Sequence, residues 1–247
     1  MWYNKIMIYK RPQLVNGEFY HIVSRAVGDT VVFDNEKDFY RGIFSIYEFN
    51  NANCVEIWER RRARNIFKKQ NVGCPTPHIL AYEDKRERFV DVLAFSFMPN
   101  HLHLILKQLK ENGISEFMKK VNGGYANYFN KKYERKGHLF DKFRAVHIKD
   151  DDQLKNTFIY VHTNLISMIE PGWKERGIKN IKKVKHFLEN NKRHSYLDYL
   201  NKRNFPSVTE REFLSETMGG VKGCKTWVDA WIMHKKEIAD FEDIVLE

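Results

Sequence analysis

Apolar and polar positions divide this chain into a short series of strands and helices. Glu18 to Val27 is rich in β-forming residues and stops at Gly28-Asp29, which predicts a first strand. Asp34 or Asn35 then offers a side-chain cap to a helix reaching about Asn50, with Phe39, Ile43, Ile46 and Tyr47 at helical spacing. Phe89 to Met98 is almost continuously apolar, as expected of a strand covered on both faces. Pro99-Asn100 suits a tight turn, and His101 to Leu109 then alternates. Leu102, Leu104 and Leu106 point one way, His101, His103 and Ile105 the other. Ile114, Phe117, Met118, Val121, Tyr125 and Tyr128 recur every three or four residues and predict a helix from Gly113 to about Arg135.

Phe143 to Ile148 reads as a further short strand. Asp150-Asp151-Asp152 offers capping oxygens and negative charge to the N-terminus of the next helix. That helix runs to about Met168 and ends before Pro171-Gly172. Leu154, Phe158, Val161, Leu165 and Met168 form its apolar stripe, which leaves Asn156, Tyr160, Thr163, Asn164 and Ser167 on the opposite face. Beyond Pro171 the texture changes to basic runs, a capping-box pattern at Thr209 and Glu212, and apolar anchors at Trp227, Trp231 and Ile232. The order β-α-β-β-α-β-α predicts an α+β fold: a sheet with helices on one side over residues 1–170, and a helical C-terminal appendage over 171–247.

The 247 residues are 43% hydrophobic and 30% charged, enough apolar material for a core. The net charge of +10 points to a polyanionic partner, nucleic acid or an acidic membrane surface. No stretch approaches the roughly 18–20 uncharged apolar residues that span a bilayer, and the first twelve residues lack the pattern of a signal peptide. Cys54, Cys74 and Cys224 are too few and too scattered for a disulfide framework or a zinc knuckle. A soluble, reduced, cytoplasmic protein without membrane association is expected. Basic groups recur at Arg60-Arg61-Arg62-Arg64, Lys119-Lys120, Lys131-Lys132, Lys182-Lys183-Lys185 and Lys192-Arg193. They suit phosphate contacts, with aromatic residues available to stack unpaired bases.

Two features could do chemistry. The period of a strand puts His101 and His103 on one face, able to share a divalent ion, although paired histidines on a strand are more often packed or solvated. On the late helix Tyr160 and Asn164 are i and i+4 neighbours, a phenol beside an amide oxygen; a partly exposed structural tyrosine is the alternative.

An ordered set of motifs adds to this. Met98-Pro99-Asn100-His101-Leu102-His103-Leu104 precedes Gly113-Ile114-Ser115 and Tyr125-Ala126-Asn127-Tyr128-Phe129-Asn130. Gly137-His138-Leu139-Phe140 and Tyr160-Val161-His162-Thr163-Asn164 follow, and Tyr20-His21-Ile22-Val23-Ser24-Arg25 opens the series. From about Glu18 to Ile169 the chain resembles the single-tyrosine HUH transposases, in particular the REP-associated tyrosine transposase branch. The resemblance implies a ferredoxin-like antiparallel sheet and a DNA endonuclease and strand transferase acting on single-stranded or hairpin DNA. It implies Tyr160 as nucleophile forming a 5′-phosphotyrosine intermediate, and His101, His103 and Asn164 as ligands of Mg²⁺ or Mn²⁺. Arg25, Lys119, Lys120, Lys131, Lys132 and Arg144 are the candidate DNA contacts, in a monomer or homodimer. The chain departs from that family at Asn164-Leu165, where Asn-Pro is usual, and at Asp141 to Arg144, which is one residue shorter. The segment from Glu59 to Arg88 is longer than usual.

Other readings use the same residues differently. Tyr125 and Tyr128 lie on an apolar helix face and suit core packing, and Tyr133, flanked by Lys131, Lys132 and Arg135, suits a position near DNA. A non-catalytic single-stranded nucleic-acid-binding protein on the same fold is the alternative function. A two-histidine phosphoesterase would need a second His-x-His motif, and the chain has one.

Overall fold

The computed structural model describes residues 11–55, 62 and 86–233. Apart from Arg62, the basic run of Glu59 to Arg64 lies outside them, as do Lys68-Lys69 and the Gly73 to Pro77 break with Cys74.

Six elements form the central layer pair: β1 (Phe19–Arg25), α1 (Glu36–Glu48), β2 (Val90–Phe97), β3 (His101–Gln108), α2 (Gly113–Lys132) and β4 (Arg144–Ile148). The sheet order is β2-β3-β1-β4 with every neighbouring pair antiparallel, a ferredoxin-like α+β arrangement. Alternation sorts the side chains. Tyr20 and Ile22 of β1, Leu102, Leu104 and Leu106 of β3, and Ala145 of β4 face α1 and α2, where Phe39, Ile43, Ile46, Phe117, Val121 and Tyr125 complete one core. A register shift between Val92 and Ala94 lets β2 send both Leu93 and Ala94 to the other face.

That other face is also covered, which differs from the expectation of helices on one side. Ile105, Ile148, Leu93 and Ala94 are apolar there and need a second layer. It is supplied by α3 (Asp151–Thr163), whose end tightens into a 3₁₀ turn at Asn164–Met168, and by α4 (Trp173–Arg176), α5 (Ile181–Leu188), α6 (Tyr196–Tyr199), α7 (Glu212–Thr217) and α8 (Gly220–Met233). Asp150 caps α3 as expected, its side chain accepting from Gln153 N at 2.7 Å. Asn35, rather than Asp34, caps α1. The capping box at Thr209 and Glu212 does not form: the Thr209 hydroxyl accepts from the Arg211 guanidinium at 2.9 Å, and α7 starts without a side-chain cap.

Residues 193–195 run along the open edge of β2. Phe97 N donates to Arg193 O at 2.8 Å and Ser195 N to Phe95 O at 3.0 Å. The Ser195 hydroxyl accepts from Phe95 N at 3.0 Å and lies 2.9 Å from His162 Nε2. The chain beyond Pro171 is thereby tied to both β2 and α3. No described helix is long and apolar enough to cross a membrane.

Packing is close where α2 begins. A Cβ on Gly113 would sit 2.5 Å from the carbonyl oxygen of Phe89, a backbone atom that cannot swing aside. Gly113→Ala is expected to cost about 1–3 kcal/mol by overpacking, read as a lower midpoint in chemical denaturation; an unchanged midpoint would contradict the contact.

Candidate active site

The histidine pair of β3 faces α3, as its alternation predicts. His101 is 5% exposed and His103 is fully buried, with ring centroids 4.8 Å apart. β1 lies antiparallel beside β3, pairing Arg25 with His101 and Val23 with His103. Two residues along β1, on the same face, the His21 ring lies nearly parallel to that of His103 with centroids 5.2 Å apart, edge to edge, its Nε2 at 3.0 Å from His103 Nδ1.

From the opposite layer, α3 and its 3₁₀ continuation deliver two groups to these imidazoles. Tyr160 places its ring 5.6 Å from both the His103 and His21 rings, edge-on to each. One turn later Asn164 brings its side-chain amide within 2.8 Å of His103 Nε2. Tyr160 is only 3% exposed. The polar face expected for Asn156, Tyr160, Thr163, Asn164 and Ser167 is thus not a solvent face, because Tyr160, Thr163 and Asn164 are buried between sheet and later helices. Lys174 of α4 holds its ammonium 5.6 Å from the centre of the Tyr160 ring. His21 and Lys174 were not foreseen at this centre; the register that carries His21 and the fold-back that carries Lys174 are tertiary facts.

Burial governs the charge state. It drives His21 down to about 3 and holds His103 well below the usual imidazole value, with His101, His21, Lys174 and Arg25 adding repulsion at His103. Both rings are neutral near pH 7 and keep lone pairs for a ligand. His101 Nδ1 lies 2.6 Å from Asn100 Oδ1, an oxygen that can only accept, so Nδ1 is the donor and Nε2 is the nitrogen left to face a ligand.

Among the described residues no cluster of three or more His, Cys, Asp or Glu suits a metal, so a cation here depends on Asn164 beside the two imidazoles. The donor set fits one. Asn164 Nδ2 donates to His103 Nε2 at 2.8 Å, so the side-chain amide already stands beside the imidazole, and a turn of the amide would present its oxygen to a shared ion. Two imidazoles with an amide oxygen suit Mn²⁺, or the harder Mg²⁺.

The candidate DNA contacts divide by face. Arg25 ends β1 beside His101, and Arg144 is exposed at the start of β4. Lys119, Lys120, Lys131 and Lys132 belong to α2, which packs on the face of the sheet away from the histidines. Lys120 donates to the carbonyls of Asn51 and Asn53, and Lys132 pairs at 2.6 Å with Asp38. Lys119 lies 3.5 Å from Glu116, and Lys131 is exposed. Tyr125 is buried as expected. Tyr133 is exposed, with its hydroxyl donating to Asp38.

Residues 50–164 match the family model described as "Transposase IS200 like". Over that span, a little under half of its length, the chain is similar to IS200-like transposases. The matched span carries β2, β3, α2, β4 and α3, and with them His101, His103, Tyr160 and Asn164; His21 and Lys174 lie outside it. No curated protein matches the sequence. Among solved structures, a REP-associated tyrosine transposase bound to a REP hairpin is similar at 11% identity, with TM-score 0.48 over 83% of this chain and 96% of that one. A bacterial tRNA(His) guanylyltransferase-like protein in complex with GTP gives TM-score 0.37 at 12% identity, over 64% of this chain and 69% of its own. The tRNA(His) guanylyltransferase of Saccharomyces cerevisiae gives 0.33 at 11% identity, over 74% and 76%.

Proposed function

We propose that this chain nicks and rejoins single-stranded or hairpin DNA through Tyr160, assisted by a divalent cation. One observation carries the reading: Tyr160 and Asn164, a turn apart on one helix, meet the His-x-His pair of a neighbouring strand, with the Tyr160 and His103 rings 5.6 Å apart. The match of residues 50–164 to an IS200-like transposase model supports the class of chemistry.

His101, His103 and Asn164 would hold Mg²⁺ or Mn²⁺. When bound, such an ion supplies Lewis-acid stabilisation of charge developing on the scissile phosphate. Tyr160 Oη attacks phosphorus, the 5′-phosphotyrosine bond forms, and the P–O3′ bond breaks with its electron pair leaving on the 3′ oxygen. The phenol gives up one proton and the 3′ oxygen takes up one, exchanged through solvent. One phosphodiester replaces another, so an incoming 3′-hydroxyl can reverse the step and join strands without ATP. Arg25 and Lys174 stand close enough to this centre to meet the phosphate. Lys119, Lys131 and Arg144 are exposed for phosphates farther along the strand, whereas Lys120 and Lys132 would have to release their present partners.

The test is incubation with labelled hairpin DNA and Mn²⁺, followed by a denaturing gel. A protein-linked DNA band is expected. Replacing His101 and His103 together by Ala is expected to lower the yield of that band by more than about a hundredfold while the far-UV spectrum is kept. Normal cutting by the double variant would remove the cation assignment. The near-complete burial of Tyr160 favours a second reading, a protein that binds such DNA without cutting it. Binding with no covalent band under any divalent cation would select it.

A further inference from the structure

Resting on the reading of His103 as a cation ligand, we infer that His21 is a positioning residue: it accepts the Nδ1 proton of His103 and so aims the Nε2 lone pair of His103 at Asn164. The geometry is specific. His103 has both ring nitrogens engaged, Nδ1 by His21 Nε2 at 3.0 Å and Nε2 by the Asn164 amide at 2.8 Å. With the Asn164 Nδ2 group donating to Nε2, that nitrogen is an acceptor. A neutral imidazole has one proton, so His103 carries it on Nδ1 and must donate it to His21. A cation ligand needs the same state: Nε2 bare and directed at the ion, Nδ1–H held from behind.

A plain packing role does not account for His21. Its neighbours on that face of β1 are Phe19 and Val23, and an apolar residue would continue the pattern without cost. His21 is instead fully buried with its own Nδ1 lacking any hydrogen-bond partner among the described residues. Since its Nε2 accepts, that unpartnered Nδ1 bears the proton, a buried donor left unsatisfied at a cost of about 1–3 kcal/mol. Retaining an imidazole there makes sense if Nε2 has work to do at His103. The Nδ1 position of His101 is held in the same manner by Asn100 Oδ1 at 2.6 Å, so each histidine of the pair has its own orienting acceptor.

The experiment joins two measurements on the full chain without DNA. The ¹⁵N spectrum of the side-chain imidazoles, assigned by comparison with His103→Ala, is expected to report the Nδ1–H tautomer at His103. In His21→Phe, which keeps a ring of similar size but no acceptor, His103 is expected to shift toward Nε2–H. Titration with Mn²⁺ followed by electron paramagnetic resonance is expected to give an affinity about 10–100-fold weaker for His21→Phe than for the parent chain. His21→Gln, whose amide oxygen can reach the Nε2 position, is expected to recover most of that loss. An Nε2–H tautomer at His103 in the parent chain would overturn the inference. So would a folded His21→Phe with unchanged tautomer and affinity, or a His21→Gln as weak as His21→Phe. Failure of the underlying cation reading looks different: the parent chain and His103→Ala would bind Mn²⁺ equally poorly, while the tautomer spectrum would still report on His21.

Discussion

Tyr160→Phe is expected to bind hairpin DNA with the affinity of the parent chain and to form the covalent band at least about a thousandfold less. The prediction separates chemistry from folding because the substitution removes one oxygen and keeps the ring that packs edge-on against His21 and His103. The nucleophile is irreplaceable in a way the other groups are not, and deleting such a group costs several orders of magnitude. Retention of the band in Tyr160→Phe would move the nucleophile elsewhere. Tyr20, Tyr125 and Tyr128 are poor substitutes, since all three lie in or against the core on the other face of the sheet.

The second large effect concerns stability and lies far from the chemistry. Asp38 is a buried carboxylate in α1 that takes hydrogen bonds from Lys132 at 2.6 Å, Tyr128 at 2.7 Å, and Tyr133 and Asn35 at 2.5 Å. Burial by itself would raise its pKa, but the bonds from Lys132, Tyr133, Tyr128 and Asn35 outweigh it and hold the carboxyl below the ordinary 3.8. Asp38→Ala removes the acceptor that joins α1 to α2 and is expected to cost about 3 kcal/mol. The folded pKa is the depressed one. This stabilisation is therefore complete above 3.8 and is lost as pH falls through the lower folded value. Denaturant unfolding at pH 7 and in strong acid should show the gap between Asp38→Ala and the parent chain narrowing on acidification. A gap that persists or widens would contradict the assignment.

Much of this was legible along the chain because it depends on local periods. The strict alternation of His101 to Leu106 fixed which residues share a face, and both histidines do face α3. Asp150 ahead of an apolar period marked the start of the helix that brings Tyr160 and Asn164. What the chain could not reveal is set by long-range pairing. His21 reaches His103 only through the β1–β3 register, and alternation within β1 says nothing about which strand lies alongside. Lys174 arrives because the chain turns back after Pro171. The buried side of α3 was misjudged for a related reason: Tyr160, Thr163 and Asn164 stand opposite the apolar stripe in the sequence, yet they are buried, with Tyr160 and Asn164 turned onto the histidines of the sheet. The unformed capping box shows local chemistry losing to a neighbour, because the Arg211 guanidinium occupies the Thr209 hydroxyl meant for the helix N-terminus.

The most direct measurement is mass spectrometry of the peptide that retains DNA after reaction with Mn²⁺ and nuclease trimming. The account predicts a nucleotide joined through its 5′ phosphate to Tyr160 and a matching DNA fragment ending in a 3′-hydroxyl. A nucleotide on any other residue, a 3′-phosphate linkage, or cut DNA with no protein-bound product would contradict it.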